Sequence, residues 1–286
     1  MDNLSRTLMT LSCTDCDEIP KVADAGQILC GAGGDVQIMH NGVRVVAEGY
    51  HGDWMAQIIR GLRGHHEPQE ELVFHHLLRY VRHKSVIVEL GAFWAYYSLW
   101  FLREIPQSRA LCVEPDPAHI LIGRRNAVLN DMTDRISFVE SWVGGSCDVT
   151  MTHKCESTGQ FRTLPSLDLT RLLQLAAVPT IELIHIDVQG AETQFLSSIT
   201  KDNVTGRVRF MVVSTHHAEI SGSRTTHEDC LRILDAAGAH ILIEHDIQAS
   251  FSGDGLIVAS FFDQDRKIVL PRISKNDPHN SLFPAP

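Results

Sequence analysis

The chain has 286 residues, of which 44% are hydrophobic and 21% charged, and a formal net charge of −10. That length and composition suit one large α/β domain, or one domain with an N-terminal addition, and promise a sizeable core. The acidic balance, with no basic stripe beyond the short cluster at 79–84, argues against nucleic acid or an anionic membrane as partner.

The N-terminal MDNLSRTLMTLSC is too polar for a signal peptide, and no apolar run approaches a membrane span. A cytoplasmic chain without membrane insertion is expected. The cysteines number seven and are scattered, so reduced thiols are expected. Cys13 and Cys16 make one CxxC without a second pair, which reads better as free thiols in a flexible leader than as a zinc site.

In chain order, residues 1–35 show no sustained period and read as a loosely ordered leader. An N-terminal extension follows at 36–84. There VQIMHNGVRVVA alternates around Asn41-Gly42, a pair that tolerates positive φ at both turn positions, and predicts a β-hairpin at 36–47. Helical spacing follows at 55–62, and again after Pro68 with Leu72, Val73, Leu77, Leu78 and Val81 on one face. From residue 85 strands and helices alternate. Strands are predicted at 86–90, 109–115, 136–143, 181–187, 208–215, 240–247 and 255–262. Helices are predicted at 94–105, 117–130, 191–199 and 226–239, with a turn and helix at 164–176. Alternation of this kind implies a parallel sheet covered on both faces, and the last two strands, lacking a helix between them, must pair antiparallel. The expected fold is therefore α/β and Rossmann-like: a mostly parallel seven-stranded sheet with an antiparallel C-terminal hairpin, the class I methyltransferase arrangement, spanning 85–264. The proline-bearing tail 265–286 reads as disordered.

In open α/β sheets ligands bind at the carboxyl ends of the strands, near the switch in strand order. The first such strand ends in Glu89-Leu90-Gly91. A dinucleotide would need GxGxxG there, but Phe93 and Tyr96 fill the later glycine positions and would obstruct a pyrophosphate. S-adenosylmethionine carries no phosphate. Glu89 can help hold its cationic amino-acid end, directly or through water. Glu114 ends the second strand at the spacing where an acid meets ribose hydroxyls. Trp142 and Val143, in SWVGG, are placed to flank adenine, and Tyr97 and Ser98 to approach the donor from the first helical turn. The reading requires the hollow beside Gly91 to be open, and not filled by Phe93 or Trp94.

These segments resemble the FkbM-type methyltransferases from Gly91 to about His217. The resemblance is carried by VELGAFWAYYSLWF, VEPDPAHILIGRRNAVLN, the LPSLDL turn and, most specifically, IHIDVQGAE at 184–192. It implies a Rossmann-like fold, S-adenosylmethionine as donor and O-methylation of a hydroxyl on a sugar or natural product. Glu89 stands for the more usual Asp, Ala95 for a glycine, Phe93-Trp94 for a small polar pair and Gln189 for a Glu. The fifth strand ends in STHH where the family more often has a Glu with a nearby His.

Methyl transfer to oxygen needs alignment, and a base or a metal to remove the hydroxyl proton. Asp187 ends the fourth strand and His216-His217 follow the fifth, so these three are the candidate catalytic residues. A divalent metal shared by Asp187, His216 and His217, its shell completed by Glu192 or by His65, His66 and Glu67, is weighed against a plain hydrogen bond from His216 to Asp187. The balance falls against the metal. The acceptor is expected to be a small molecule or glycan, and a homo-oligomer is compatible with the sequence. The competing classes are a catalytically silent binding protein on the same fold, an NAD-dependent oxidoreductase and a metal-dependent hydrolase.

Overall fold

The computed structural model describes residues 3–147 and 149–283; Pro284 and Pro286 of the tail lie outside the described residues. The N-terminal extension opens with helix α1 (Asn3–Ser12) and a small antiparallel sheet of β1 (Ile28–Leu29), β2 (Val36–Ile38) and β3 (Arg44–Val46). The expected hairpin is the β2–β3 pair. Its turn differs from a two-residue one, because Gly42 alone takes a positive φ, of 83°, while the Asn41 side chain accepts from Val43 N at 3.0 Å. An asparagine side chain thus does locally what a second left-handed residue would have done. Helices α2 (Asp53–Gly61) and α3 (Pro68–Leu77) complete the extension.

The main domain runs β4 (Val86–Leu90), α4 (Tyr96–Glu104), β5 (Arg109–Val113), α5 (Pro117–Leu129) and β6 (Ile136–Val139). A side excursion follows, made of β7 (Trp142–Val143), β8 (Thr150–Lys154) and β9 (Phe161–Leu167). The chain then returns through α6 (Leu169–Ala176), β10 (Ile181–Ile186), α7 (Glu192–Leu196), α8 (Lys201–Val204), β11 (Val208–Thr215), α9 (Ala218–Ser221), α10 (Thr226–Ala236), β12 (His240–His245) and β13 (Gly255–Ser260). The sheet order is β12-β13-β11-β10-β4-β5-β6. Neighbours are parallel except that β13 runs antiparallel to both β11 and β12. This is the Rossmann-like class I methyltransferase fold. The order reverses between β4 and β10, which is where a ligand crevice opens.

Alternation along the strands supplies both cores. Ile87, Leu183 and Phe210 pack with Phe74 and Leu77 of α3 and with Leu99 of α4. Val88, Ile184 and Met211 pack on the opposite face with Leu172 of α6, Phe195 of α7 and Leu234 of α10. Helix starts follow local chemistry. The Asp116 carboxylate accepts from Ala118 N ahead of α5, with Pro117 at the first helical position, and Asp168 accepts from Arg171 N ahead of α6.

Four expectations are corrected. Residues 136–143 do not form one strand. β6 stops at Val139, and Trp142-Val143 pair instead with β9 in a separate sheet of order β7-β9-β8. The 164–167 stretch, expected as the turn ahead of a helix, belongs to β9, where Pro165 faces Thr150 of β8. The leader is ordered over its described residues. α1 is helical, Cys13 and Cys16 are buried free thiols, and Arg6 reaches across to Asp254 at 3.0 Å. Burial pushes the two thiols up, to about 11 for Cys13 and about 12 for Cys16, so both stay protonated. The tail is likewise held. Asp265 pairs with Arg209 at 2.8 and 2.9 Å, and Ser274 donates to Asp15 at 2.6 Å. Among the described residues no helix is long and apolar enough to cross a membrane.

Candidate active site

The bend after β4 decides the shape of the site. Gly91 has φ +74°, and its N–H and that of Ala92 both donate to Val113 O, at 2.9 and 3.1 Å. A Cβ at position 91 would stand 1.7 Å from the carbonyl oxygen of Asp187, so only glycine fits where β4 and β10 leave the sheet together. Four residues on, Ala95 occupies the left-handed region at φ 59°, at the position where the resembled family carries glycine.

Glu89 and Glu114 stand on either side of that bend. The Glu89 carboxylate accepts from Ser98 N at 2.9 Å, at the positive end of α4. Burial pushes Glu89 upward, outweighing the charge of His185 and the Ser98 bonds. Glu114 is 5% exposed; one oxygen accepts from Phe93 N at 3.0 Å and the other from Asp116 N at 2.9 Å. Oε1 also faces His119 Nδ1 at 3.5 Å, while Oε2, bonded to Phe93 N, keeps a further lone-pair direction for a ligand hydroxyl.

A cavity of about 420 Å³ opens in front of these groups, within the range of small-molecule sites. Glu89, Gly91, Tyr97, Glu114, Trp142, Val143 and Asp187 all line it, so these predicted residues come together. Ser98 does not line it: fully buried, it serves Glu89 from behind. The hollow stays open, with its bulky neighbours stacked in pairs along the wall. Phe93 lies on the His119 ring with centroids 3.5 Å apart, and Trp94 lies on Tyr50 at 4.4 Å.

The chemistry end differs from expectation. Asp187 lines the cavity, but His216 lies outside the lining, between carboxylates. Its Nε2 is 3.2 Å from Asp187 and 3.8 Å from Asp254, and its Nδ1 pairs with Glu192. Burial opposes the charge on His216, but Asp254, Asp187 and Glu192 outweigh it and hold the ring as imidazolium. Asp187 in turn, against the upward push of burial, is held below its usual value by the hydrogen bond and charge of His216. His217 points elsewhere. Its Nδ1 accepts from Glu219 N at 3.2 Å, capping α9, and its ring stacks on Phe283 at 3.6 Å. Asp187, His216 and His217 therefore do not converge on one point as metal ligands would, and His217 does not face the cavity.

Groups of the extension fill the remaining wall. Tyr50, His51, His66 and Glu67 line the same cavity as Asp187, and Met151, His153 and Lys154 reach it from β8. Burial pushes Glu67 up to about 8, against the pull of His66. Tyr97 donates to Glu67 at 3.2 Å, and His66 Nε2 is 3.5 Å from the same oxygen. His185, two residues before Asp187, is charged to about 9. Burial works against it, but Glu70 accepts from its Nε2 at 2.6 Å. The HHEP segment carried a signal for this wall in its clustered histidines and acid; Tyr50, in a turn without a motif, carried none.

The assembled crevice, with its acid-flanked glycine bend and aromatic walls, lies at the switch in strand order of a class I methyltransferase fold. Solved structures of similar architecture include the precorrin-6y C5,15-methyltransferase of Geobacter metallireducens GS-15, with TM-score 0.42 and 12% identity over 66% of this chain and 86% of that one. An O-methyltransferase from Bacillus cereus in complex with SAH gives 0.41 and 14% over 67% and 80%. The O-methyltransferase TomG from Streptomyces achromogenes, in complex with SAM, gives 0.40 and 16% over 67% and 78%. No family model matches the sequence, and no curated protein matches it. The fold assignment rests on the strand order itself.

Proposed function

We propose that this chain is an S-adenosylmethionine-dependent methyltransferase of the FkbM type, methylating a hydroxyl on a sugar or natural-product-like small molecule. The observation that carries the reading is the open cavity beside Gly91, bounded by Glu89 and Glu114 at the ends of adjacent strands. The donor, when bound, supplies an electrophilic methyl group. Glu114 offers acceptor lone pairs to a vicinal diol, Trp142 and Val143 give flat apolar contacts for a purine, and Glu89 faces a cationic amino-acid end. Tyr50, Trp94 and Tyr97 add aromatic wall to the same cavity.

Asp187 and Glu67 are the cavity-lining carboxylates placed to orient and deprotonate an acceptor hydroxyl. Glu67, at about 8, sits near the value an efficient base requires at neutral pH. His216 is a positioning residue that holds Asp187, and not itself the base. No metal is required by this reading. Calorimetric titration with S-adenosylmethionine and with S-adenosylhomocysteine tests it. Binding in the micromolar range supports it, and absence of heat at millimolar ligand with a folded protein overturns it.

A further inference from the structure

We propose that His40, His65, Glu71 and Tyr96 form a buried structural site for a divalent cation of the zinc class, which locks the N-terminal extension onto the sheet domain. The inference is independent of what the cavity catalyses.

The four groups come from four places in the chain: the β2–β3 turn, the loop after α2, the first turn of α3 and the first residue of α4. All are at most 2% exposed. The ligand atoms of His40, His65 and Glu71 lie within 4.8 Å of one another. Glu71 Oε2 is 2.5 Å from His65 Nδ1, 3.3 Å from the Tyr96 hydroxyl and 3.8 Å from His40 Nδ1, and that Nδ1 is 3.0 Å from the same hydroxyl. Tetrahedral zinc with bonds of about 2.0–2.1 Å sets its ligand atoms roughly 3.3 Å apart. The cluster brackets that spacing, and the His65–Glu71 edge needs to open by less than about 1 Å to admit the ion.

The surroundings are those of a built site. Glu71 Oε1 is fixed by the backbone N–H groups of His66 at 2.7 Å and Glu67 at 3.2 Å, which aims Oε2 at the cluster. His40 N donates to Gly64 O at 3.0 Å, and a Cβ on Gly64 would stand 2.2 Å from His40 N. That close backbone approach is what brings His40 beside His65, with ring centroids 4.1 Å apart. His65 Nε2 is buried without a hydrogen-bond partner, so nothing on that side keeps the ring from turning onto an ion. Two imidazoles and a carboxylate suit zinc, and the absence of solvent access suits a structural ion.

The test uses untagged full-length protein, stripped with chelator and then titrated with zinc or cobalt(II) alone. The expected result is one equivalent bound, a higher melting temperature with zinc, and the intense visible bands of four-coordinate cobalt. His40→Gln with His65→Gln should weaken zinc binding at least ~100-fold. Failure to bind a stoichiometric ion, or a cobalt spectrum of six-coordinate type, would overturn the proposal. So would an equivalent that survives intact in the double variant. Should that variant not fold, the wild-type cobalt spectrum and stoichiometry decide alone.

Discussion

The carbonyl oxygen of Asp187 occupies the space into which a side chain on Gly91 would grow, 1.7 Å from an ideal Cβ. The two strand ends that frame the crevice are therefore in backbone contact, and Asp187 N closes the same junction by donating to Leu90 O at 2.9 Å. Gly91→Ala combines a steric clash with backbone and a φ of +74°. A loss on the order of 3 kcal/mol is expected, because neither β4 nor β10 can shift without breaking sheet pairing. The urea midpoint would show it. A midpoint equal to wild type would mean that the bend relaxes freely.

Glu114 tests the donor end. Glu114→Gln keeps one oxygen but turns an N–H₂ toward a backbone donor, Phe93 N or Asp116 N. A modest stability loss of about 1 kcal/mol is expected from that mismatch. Affinity for S-adenosylmethionine should fall at least ~10-fold, since a charged acceptor for the ribose is lost. Calorimetry with wild-type and variant protein side by side measures it; unchanged affinity would remove Glu114 from the site.

The two adjacent histidines should behave oppositely. His216 is the cation among three carboxylates, Asp187, Glu192 and Asp254. His216→Ala leaves Glu192 buried and Asp187 partly buried without their cation, while Asp254 keeps Arg6, and a loss of about 3 kcal/mol is expected. His217→Ala removes one cap of a short helix and a ring stack, and should stay within about 1 kcal/mol. Thermal unfolding of both variants distinguishes the roles. Equal losses would contradict the assignment of His216 as the electrostatic anchor of Asp187.

Sheet strands β4, β5, β10 and β11 were legible because each is a short run of residues buried on both sides, punctuated by helical spacing. Gly91, Glu114 and Asp187 followed from their positions at strand ends. The side sheet was not legible. The break after Val139 is set by tertiary contacts, among them the Ser141 hydroxyl donating to Pro165 O at 2.6 Å. Pro165 itself signals a breaker in sequence yet sits in β9, where Ser166 N and not residue 165 donates, to Val149 O at 2.9 Å. The leader and tail lack periodicity because side-chain bonds to distant partners hold them, as in Arg6–Asp254 and Asp15–Ser274. The Glu67 wall was legible only in part. The HHEP segment stood out as a possible metal shell around Asp187, and only the fold makes Glu67, the residue before α3, a buried wall group bonded to Tyr97.

Glu67 gives the pH prediction. Its folded value of about 8 lies above the ordinary 4.5, chiefly through burial, with Glu70, Asp187 and Asp254 adding to the upward push and His66 opposing it. Tyr97 faces it as a hydrogen-bond donor. Between those two values the folded chain retains a proton that the unfolded chain has released. Stability from this group is thus fully present below about 4.5 and is lost as pH rises through 8. Glu67→Gln mimics the protonated form and removes the titration. Urea midpoints measured from about pH 5 to about pH 9 should fall more steeply for wild type than for Glu67→Gln, with the variant the more stable at the alkaline end. Parallel curves would show that the Glu67 carboxyl ionises in the folded protein at an ordinary value, and would withdraw it as a base tuned to neutral pH.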